Sequence, residues 1–337
     1  MIPYWVLLLT VSLYSTDAYK FLVYSPIYGY SHTNFMGALA DTLTEAGHDV
    51  TVLMPILDEE QQNKTALKLT TKVIKIPPPP SNHHMKQYKE EAFAKMWTME
   101  PSVFGMIQEL IADTSYAFTN SNPYLDYPRP MLQKTIPIGG IAVALDPKNN
   151  VLSKDWDSIL GLRNTTVLVS FGSMAKSMSM PDEYKKTLLK VFESMPETTF
   201  IWKYEEKGSK FAAHLKNVHL STWVPQNALL ADPRLTVFVT HGGLGSTTEL
   251  AHMGKPSLLV PLFADQTRNA NMLAKHGGGI VLKKDDLGNS EKLTVSLKRL
   301  LNDASYSRNA KRLADMLLNQ PISAKELFIK HCEFAAK

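Results

Sequence analysis

Trp223, Gln226, His241, Glu249, Asp265 and Gln266 fall within one stretch, WVPQNALLADPRLTVFVTHGGLGSTTELAHMGKPSLLVPLFADQ, and each type suits one part of a sugar nucleotide. The Trp223 indole offers a flat face to a base. Glu249, one turn inside the helix that the glycines open, can accept hydrogen bonds from both hydroxyls of a ribose. Gly242, Gly243 and Gly245 let backbone approach phosphate closely, and Ser246 and the first N–H groups of that helix can bind its oxygens. His241 can donate to a phosphoryl oxygen, and Asp265 and Gln266 suit sugar hydroxyls. Singly, each has a plainer explanation. A Trp near a Pro packs, a Gly-rich turn only turns, and a first-turn Glu complements the helix dipole. The joint spacing is what points to a site.

For these residues to meet, strands must deliver them to one edge. From Thr166 onward, strand-like and helix-like stretches alternate: VLVSF (167–171), a helix from Pro181 to Met195, TFIWKY (199–204), VHL (218–220), Leu235 to Val239, Ser257 to Val260, Ile280 to Leu282, then two terminal amphipathic helices. Such alternation predicts a parallel sheet covered on both faces, with right-handed crossovers. Ligands of such sheets sit outside the carboxyl ends of the strands. Gly172 and Ser173 follow the first run, Trp223 to Gln226 follow VHL, His241 to Glu249 follow VFVT, and Asp265 and Gln266 follow LLVP.

The first half begins with a βαβ pattern. Lys20 to Ser25 reads as a strand, and a polar loop, Pro26 to His32, leads into a helix with Phe35, Leu39 and Leu43 on one face. Gly47 ends that helix, and His48 to Met54 is the next strand. Lys72 to Ile76 is a shorter apolar run before the extended spacer Pro77 to Pro80. Residues 86–111 have helical spacing, broken or kinked at Pro101. Tyr116 to Thr119 and Ile136 to Ile138 are short strand-like pieces. Gly139, Gly140 and the polar stretch Asp146 to Lys154 mark the domain boundary.

Composition narrows the class. The chain has 337 residues, 44% hydrophobic and 20% charged, which is globular and long enough for two domains. Its 36 basic and 32 acidic residues give a net charge of +4, and the basic residues are scattered, which argues against nucleic acid as a partner. The single cysteine, Cys332, excludes an internal disulfide and a Cys-based zinc site. Residues 2–14 form a short apolar run with Thr16 and Ala18 at the spacing of a signal-peptidase site, so residues 1–18 are expected to be a signal peptide. Sequons at Asn63 and Asn164 fit the secretory pathway. No later run reaches the ~20 apolar residues a membrane helix needs.

At W-x-P-Q, H-x-G-x-x-S-x-x-E and the final D-Q, the stretch from Trp223 to Gln266 resembles the signature of the UDP-glycosyltransferases. It departs only at Ser257, usually apolar in the family, and at Gly245, often Asn in plant members. The likeness extends to SPIYGYSH, IPIGG (136–140), FGS (171–173), FIWKYE (200–205) and QPISAKE, and is closest to the animal glucuronosyltransferase-like branch. It implies an α/β fold of GT-B type, two Rossmann-like domains facing across a cleft, here 19–143 on the acceptor side and 144–337 on the donor side. By motif match Trp223 would stack on uracil, with Val224 and Gln226 beside the base or ribose, and Glu249 would hold the ribose. Gly172, Ser173, His241, Gly243, Gly245 and Ser246 would hold the diphosphate, and Asp265 and Gln266 the transferred sugar. His32 matches the catalytic base, and an imidazole that titrates near neutral pH can take the acceptor's proton.

The resemblance implies transfer of glucuronic acid or glucose from its UDP conjugate to a hydroxyl of a small lipophilic acceptor, with inversion. The donor is a substrate; no cofactor and no metal is expected. Location in the endoplasmic reticulum lumen follows, as does pairing with itself or with relatives. Two family features lack a match: the Asp that orients the base, and the C-terminal membrane anchor. The passage between Gln108 and Tyr116 is short, so an incomplete N-terminal domain is expected. A catalytically impaired, UDP-sugar-binding regulatory isoform is therefore the alternative. Asp155-Trp156-Asp157 is formally the D-x-D of metal-dependent transferases, but it sits in a polar helical stretch where a solvated face explains it. A dinucleotide oxidoreductase is excluded because Pro26 to His32 lacks G-x-G-x-x-G.

Overall fold

A computed structural model describes residues 18–27, 30–57, 61–77, 113–173 and 175–337. The expected signal peptide, the Pro spacer from 78 and the helix read over 86–111 lie outside these, apart from Ala18. The elements in order are β1 (Lys20–Tyr24), α1 (Tyr30–Glu45), β2 (Asp49–Pro55), β3 (Lys72–Ile76), β4 (Ala117–Thr119) and β5 (Thr135–Pro137), then α2 (Lys154–Leu160), β6 (Thr165–Ser170), α3 (Asp182–Glu193), β7 (Thr198–Lys203) and β8 (Val218–Ser221). The chain continues through α4 (Gln226–Ala231), β9 (Leu235–Thr240), α5 (Leu244–Met253), β10 (Ser257–Leu259), α6 (Gln266–Ala274), β11 (Gly279–Val281), α7 (Ser290–Asn302), α8 (Ala304–Leu318) and α9 (Ala324–Ala336).

The chain divides into two compact units. One holds the chain up to Thr119, Met131–Ala142 and Ile322–Lys337; the other holds Asn120–Pro130 and Val143–Pro321. A single cut at 143/144 thus misses two crossings, 120–130 and the C-terminal helix. The second crossing has a packing cause. Phe328 of α9 is buried in the core formed by Leu39, Leu43, Val52 and Met54, and its ring meets Phe118 edge-on at 4.9 Å.

In that first unit β1, β2 and β3 form a parallel sheet in that order, and β4 pairs with β5. Along β2, Val50, Val52 and Met54 alternate into the core, as period 2 requires. Helix α1 ends at Gly47, whose φ of +90° suits glycine, and it begins at Tyr30, earlier than the sequence suggests. His32 therefore lies in the first turn of a helix instead of in a loop. Asp41 of α1 pins the approach to β3, accepting from the N–H groups of Lys68, Leu69 and Thr70 and from the Thr70 hydroxyl.

The second unit is built on a six-stranded sheet ordered β11-β10-β9-β6-β7-β8, with all its pairs parallel. Alternate residues leave on opposite faces. Val167, Val169, Val237 and Val239 face one core with Leu188 and Phe192 of α3 and Leu293 and Leu297 of α7. Leu168, Ile201, Phe238 and Leu259 face another with α4, α5, α6 and α8. Burial on both faces explains why these strands read as continuous apolar runs. Three helices, not two, close the chain, because Asp303 stops α7 and its carboxylate accepts from Ser305 N to start α8. The D-x-D lies on α2, where Asp157 accepts from Arg234 at 2.8 Å. Among the described residues no helix is long and apolar enough to cross a membrane.

Ser257 is completely buried opposite Gly279, and its hydroxyl has no hydrogen-bond partner. A buried unsatisfied hydroxyl costs about 1–3 kcal/mol. Ser257→Ala is expected to raise stability by about 1 kcal/mol in urea unfolding, and a lower midpoint would contradict this accounting.

Candidate functional site

Strand register lines up the carboxyl ends. Ser170 pairs with Thr240 and Thr240 with Leu259, while Lys203 pairs with Ser221. The loops that follow carry Gly172 and Ser173, His241 to Gly243, Asp265, and Trp223. The strand order reverses between β6 and β9, since β7 and β8 extend to one side of β6 and β9, β10 and β11 to the other. Crevices form at such a switch point. The loops at this one are those of Gly172 and His241.

There the His241 imidazole occupies a slot between two glycines. A Cβ on Gly172 would lie 2.7 Å from its Cε1, and one on Gly243 2.6 Å from its Nε2. Neither distance is tolerable, and Gly172 also has φ +85°. Thr240 Oγ1 is 3.3 Å from His241 Nδ1. Burial pushes the His241 pKa down to about 4, with Asp265 opposing the shift and Lys203 adding to it. The ring is therefore neutral at pH 7 and carries one N–H. Gly243 caps α5 without a side-chain partner, so this end of a ten-residue helix offers backbone N–H groups to an anion.

One turn further, Gln226 joins the polar residues of two helices. Its Nε2 donates to Glu249 Oε2 at 2.5 Å and to Ser246 Oγ at 3.0 Å. Burial pushes the Glu249 carboxyl up, and the Gln226 hydrogen bond partly offsets this. Trp223, half exposed beside them, has its carbonyl held by Ser221 Oγ at 2.6 Å. Val224 is buried in the core, and its carbonyl accepts from Gln226 N at 2.8 Å. Gly245 is exposed on the first turn of α5 and Ser173 is exposed after β6.

Asp265 and Gln266 differ in what they have left to offer. Asp265 is exposed and accepts from Asn269 Nδ2 at 2.7 Å. Gln266 is buried, and its Oε1 already accepts from Leu262 N at 2.8 Å and Phe263 N at 3.1 Å. Its carbonyl thus braces the loop before α6, and only its amide N–H groups remain for a sugar. His32 is exposed on α1, with Nδ1 3.4 Å from Ser31 Oγ, and belongs to the first unit while every other candidate belongs to the second.

Sequence reasoning passed over two groups. Lys203, at the end of β7, donates to Gly172 O at 2.7 Å; its signal was a cation closing an apolar strand. Asp126, in the crossing segment 120–130, accepts from Arg268 of α6, and Lys275 and His276 donate to the Asp126 and Leu125 carbonyls. A cavity of about 940 Å³ lies at the other ends of α4 and α5, lined by Ala231, Arg234, His252 and Lys311, and holds none of the candidates. Among the described residues no group of His, Cys, Asp and Glu could hold a metal.

Two Rossmann-like α/β units with a Gly-rich helix start at the switch point define a GT-B-type glycosyltransferase fold, and solved structures agree. The chain superimposes on LpCGTa, crystallised in complex with UDP, with TM-score 0.68 and 16% identity over 95% of this chain and 99% of that one. It matches the glycotransferase of kitacinnamycin with TM-score 0.61 and 14% identity over 95% and 98% of the two chains. Residues 83–337 match the profile of the UDP-glucoronosyl and UDP-glucosyl transferase family, and the chain belongs to that family. UDP-glucuronosyltransferase 1A4 of Oryctolagus cuniculus is 31% identical over 63% of this chain and 39% of that protein. UDP-glucosyltransferase 2 of Dactylopius coccus is 28% identical over 68% and 44%. The chain spans about half the length of the curated relatives it matches.

The depressed His241 pKa sets an acid dependence. The unfolded imidazole binds its proton near 6.5 and the folded one near 4. Between these values the unfolded state holds more protons, so stability rises with pH and is lost on acidification from 6.5 towards 4. This group should account for a loss on the order of 3 kcal/mol across that window. Urea unfolding at pH 7 and pH 4.5 should show a smaller acid loss for His241→Asn than for the wild type; equal losses would contradict the buried neutral imidazole.

Proposed function

We propose that this chain binds a UDP-sugar at the carboxyl ends of β6 to β10 and transfers the sugar to a hydroxyl of a small lipophilic acceptor. The observation that carries the reading is the joined set at α5: His241 in its glycine slot, the open helix start, and Gln226 bridging Ser246 and Glu249. Uracil stacks on Trp223, the ribose hydroxyls donate to Glu249, and the diphosphate meets the His241 N–H and the N–H groups of α5. Family membership supports this, and a solved neighbour of the same fold holds UDP.

In the reaction the acceptor oxygen attacks the anomeric carbon from the face opposite UDP, which inverts that centre. His32 takes the acceptor's proton as the bond to the diphosphate breaks. The charge left on UDP falls where neutral His241 and the helix dipole stabilise it, with no metal required by these steps. The donor is UDP-glucuronate or UDP-glucose, with Asp265 and the Gln266 amide reading the sugar hydroxyls. A secretory lumen is the proposed location, supported by the N-terminal apolar run and by exposed sequon asparagines at 63 and 164.

Calorimetry and transfer of radiolabelled sugar test this together. Glu249→Ala should weaken UDP about tenfold, since it removes the acceptor of two ribose hydroxyls and each such hydrogen bond is worth roughly 0.5–1.5 kcal/mol. His32→Ala should leave UDP binding within about twofold and abolish transfer. Transfer that survives both substitutions would sink the assignment.

A further inference from the structure

Lys203 occupies a place that packing alone does not explain. It closes β7 after Phe200, Ile201 and Trp202, all completely buried, and its own side chain is 8% exposed. Lysine is almost never buried to this degree unless it is paired. Its ammonium reaches segments far apart in sequence. It donates to Gly172 O at 2.7 Å, lies 5.3 Å from the centre of the Trp223 ring, and stands 3.8 Å from the Glu205 carboxylate. It is also close enough to His241 to help hold that imidazole neutral.

Two of these contacts have directional consequences. The Gly172–Ser173 peptide is trans and planar, so its C=O and N–H point in opposite directions. Anchoring Gly172 O on Nζ therefore aims the Ser173 N–H away from Lys203, and Ser173 is exposed. The Trp223 ring, 54% exposed, lies under the Lys203 ammonium. A cation over the face of an indole is attracted by the ring quadrupole and favours one ring orientation. Glu205 offsets the ammonium charge, which fits a role in orienting neighbours better than one in binding phosphate directly.

We infer that Lys203 is a positioning residue of the donor site, with one ammonium that sets both the indole for the base and the Gly172–Ser173 peptide for the diphosphate. The inference rests on the UDP-sugar reading and adds a residue and a coupling to it. The base and phosphate halves of the site are then linked before any nucleotide arrives.

The test measures UDP, uridine and inorganic pyrophosphate binding to the full chain by ligand-observed NMR, with thermal midpoints taken in parallel. Lys203→Met should weaken uridine and pyrophosphate about tenfold each, and Lys203→Arg should recover most of both. In a Trp223→Ala background, Lys203→Met should leave uridine binding unchanged and still weaken pyrophosphate. A folded Lys203→Met that binds both fragments like the wild type overturns the inference; if that variant fails to fold, Lys203→Gln is read in the same way. Losses that Lys203→Arg does not rescue also overturn it, since they mark a merely structural lysine. A wild-type chain that binds no UDP overturns the donor-site reading, and this inference with it.

Discussion

The candidate site depends on a steric constraint at the switch point of the second sheet: two glycines must leave a gap one imidazole wide. Gly172 follows β6 and Gly243 follows β9, parallel neighbours between which the strand order reverses. A methyl group at either position would drive His241 out. Filling the slot also removes the ring from water, which makes it neutral at physiological pH and a donor of one N–H. Position and chemistry thus share one cause.

Around that slot the polar groups brace one another before they could brace a ligand. Gln226 ties α4 to α5 through Ser246 and Glu249, Gln266 ties its own loop through its carbonyl, and Lys203 ties the β6 loop to the face of Trp223. Such internal hydrogen bonds hold side chains in place, so less ordering entropy is lost on binding. They also divide labour within residues. Gln266 has used its acceptor and keeps its donors, whereas Asp265 stays exposed with carboxylate capacity to spare.

Much of this was legible in the sequence. Continuous apolar runs such as Val167 to Val169 and Val237 to Val239 announce strands buried on both faces, and the polar clusters that follow them mark carboxyl ends. The joint spacing from Trp223 to Gln266 named candidate side chains that the fold brings to the carboxyl edge of the second sheet. What could not be read was direction and partnership. Nothing local shows that the Gln266 carbonyl turns inward, because its partners are backbone groups whose placement depends on the loop. Lys203 read as the polar end of a strand, since its contacts lie at positions 172 and 223. The return of α9 to the first core hangs on Phe328, one apolar residue among several in an amphipathic helix. The start of α1 was misplaced because Tyr30 and Ser31 carry no strong helix signal, which put His32 in a loop.

The central claim is that one pre-arranged set of groups at the start of α5 receives a uridine nucleotide. A crystal structure of the chain grown with UDP tests it most directly. The account predicts uracil stacked on Trp223, ribose hydroxyls within hydrogen-bond distance of Glu249, and diphosphate against His241 and the first N–H groups of α5, with the His241 ring unmoved between Gly172 and Gly243. UDP bound elsewhere, or at this edge with its diphosphate away from His241 and α5, would contradict it.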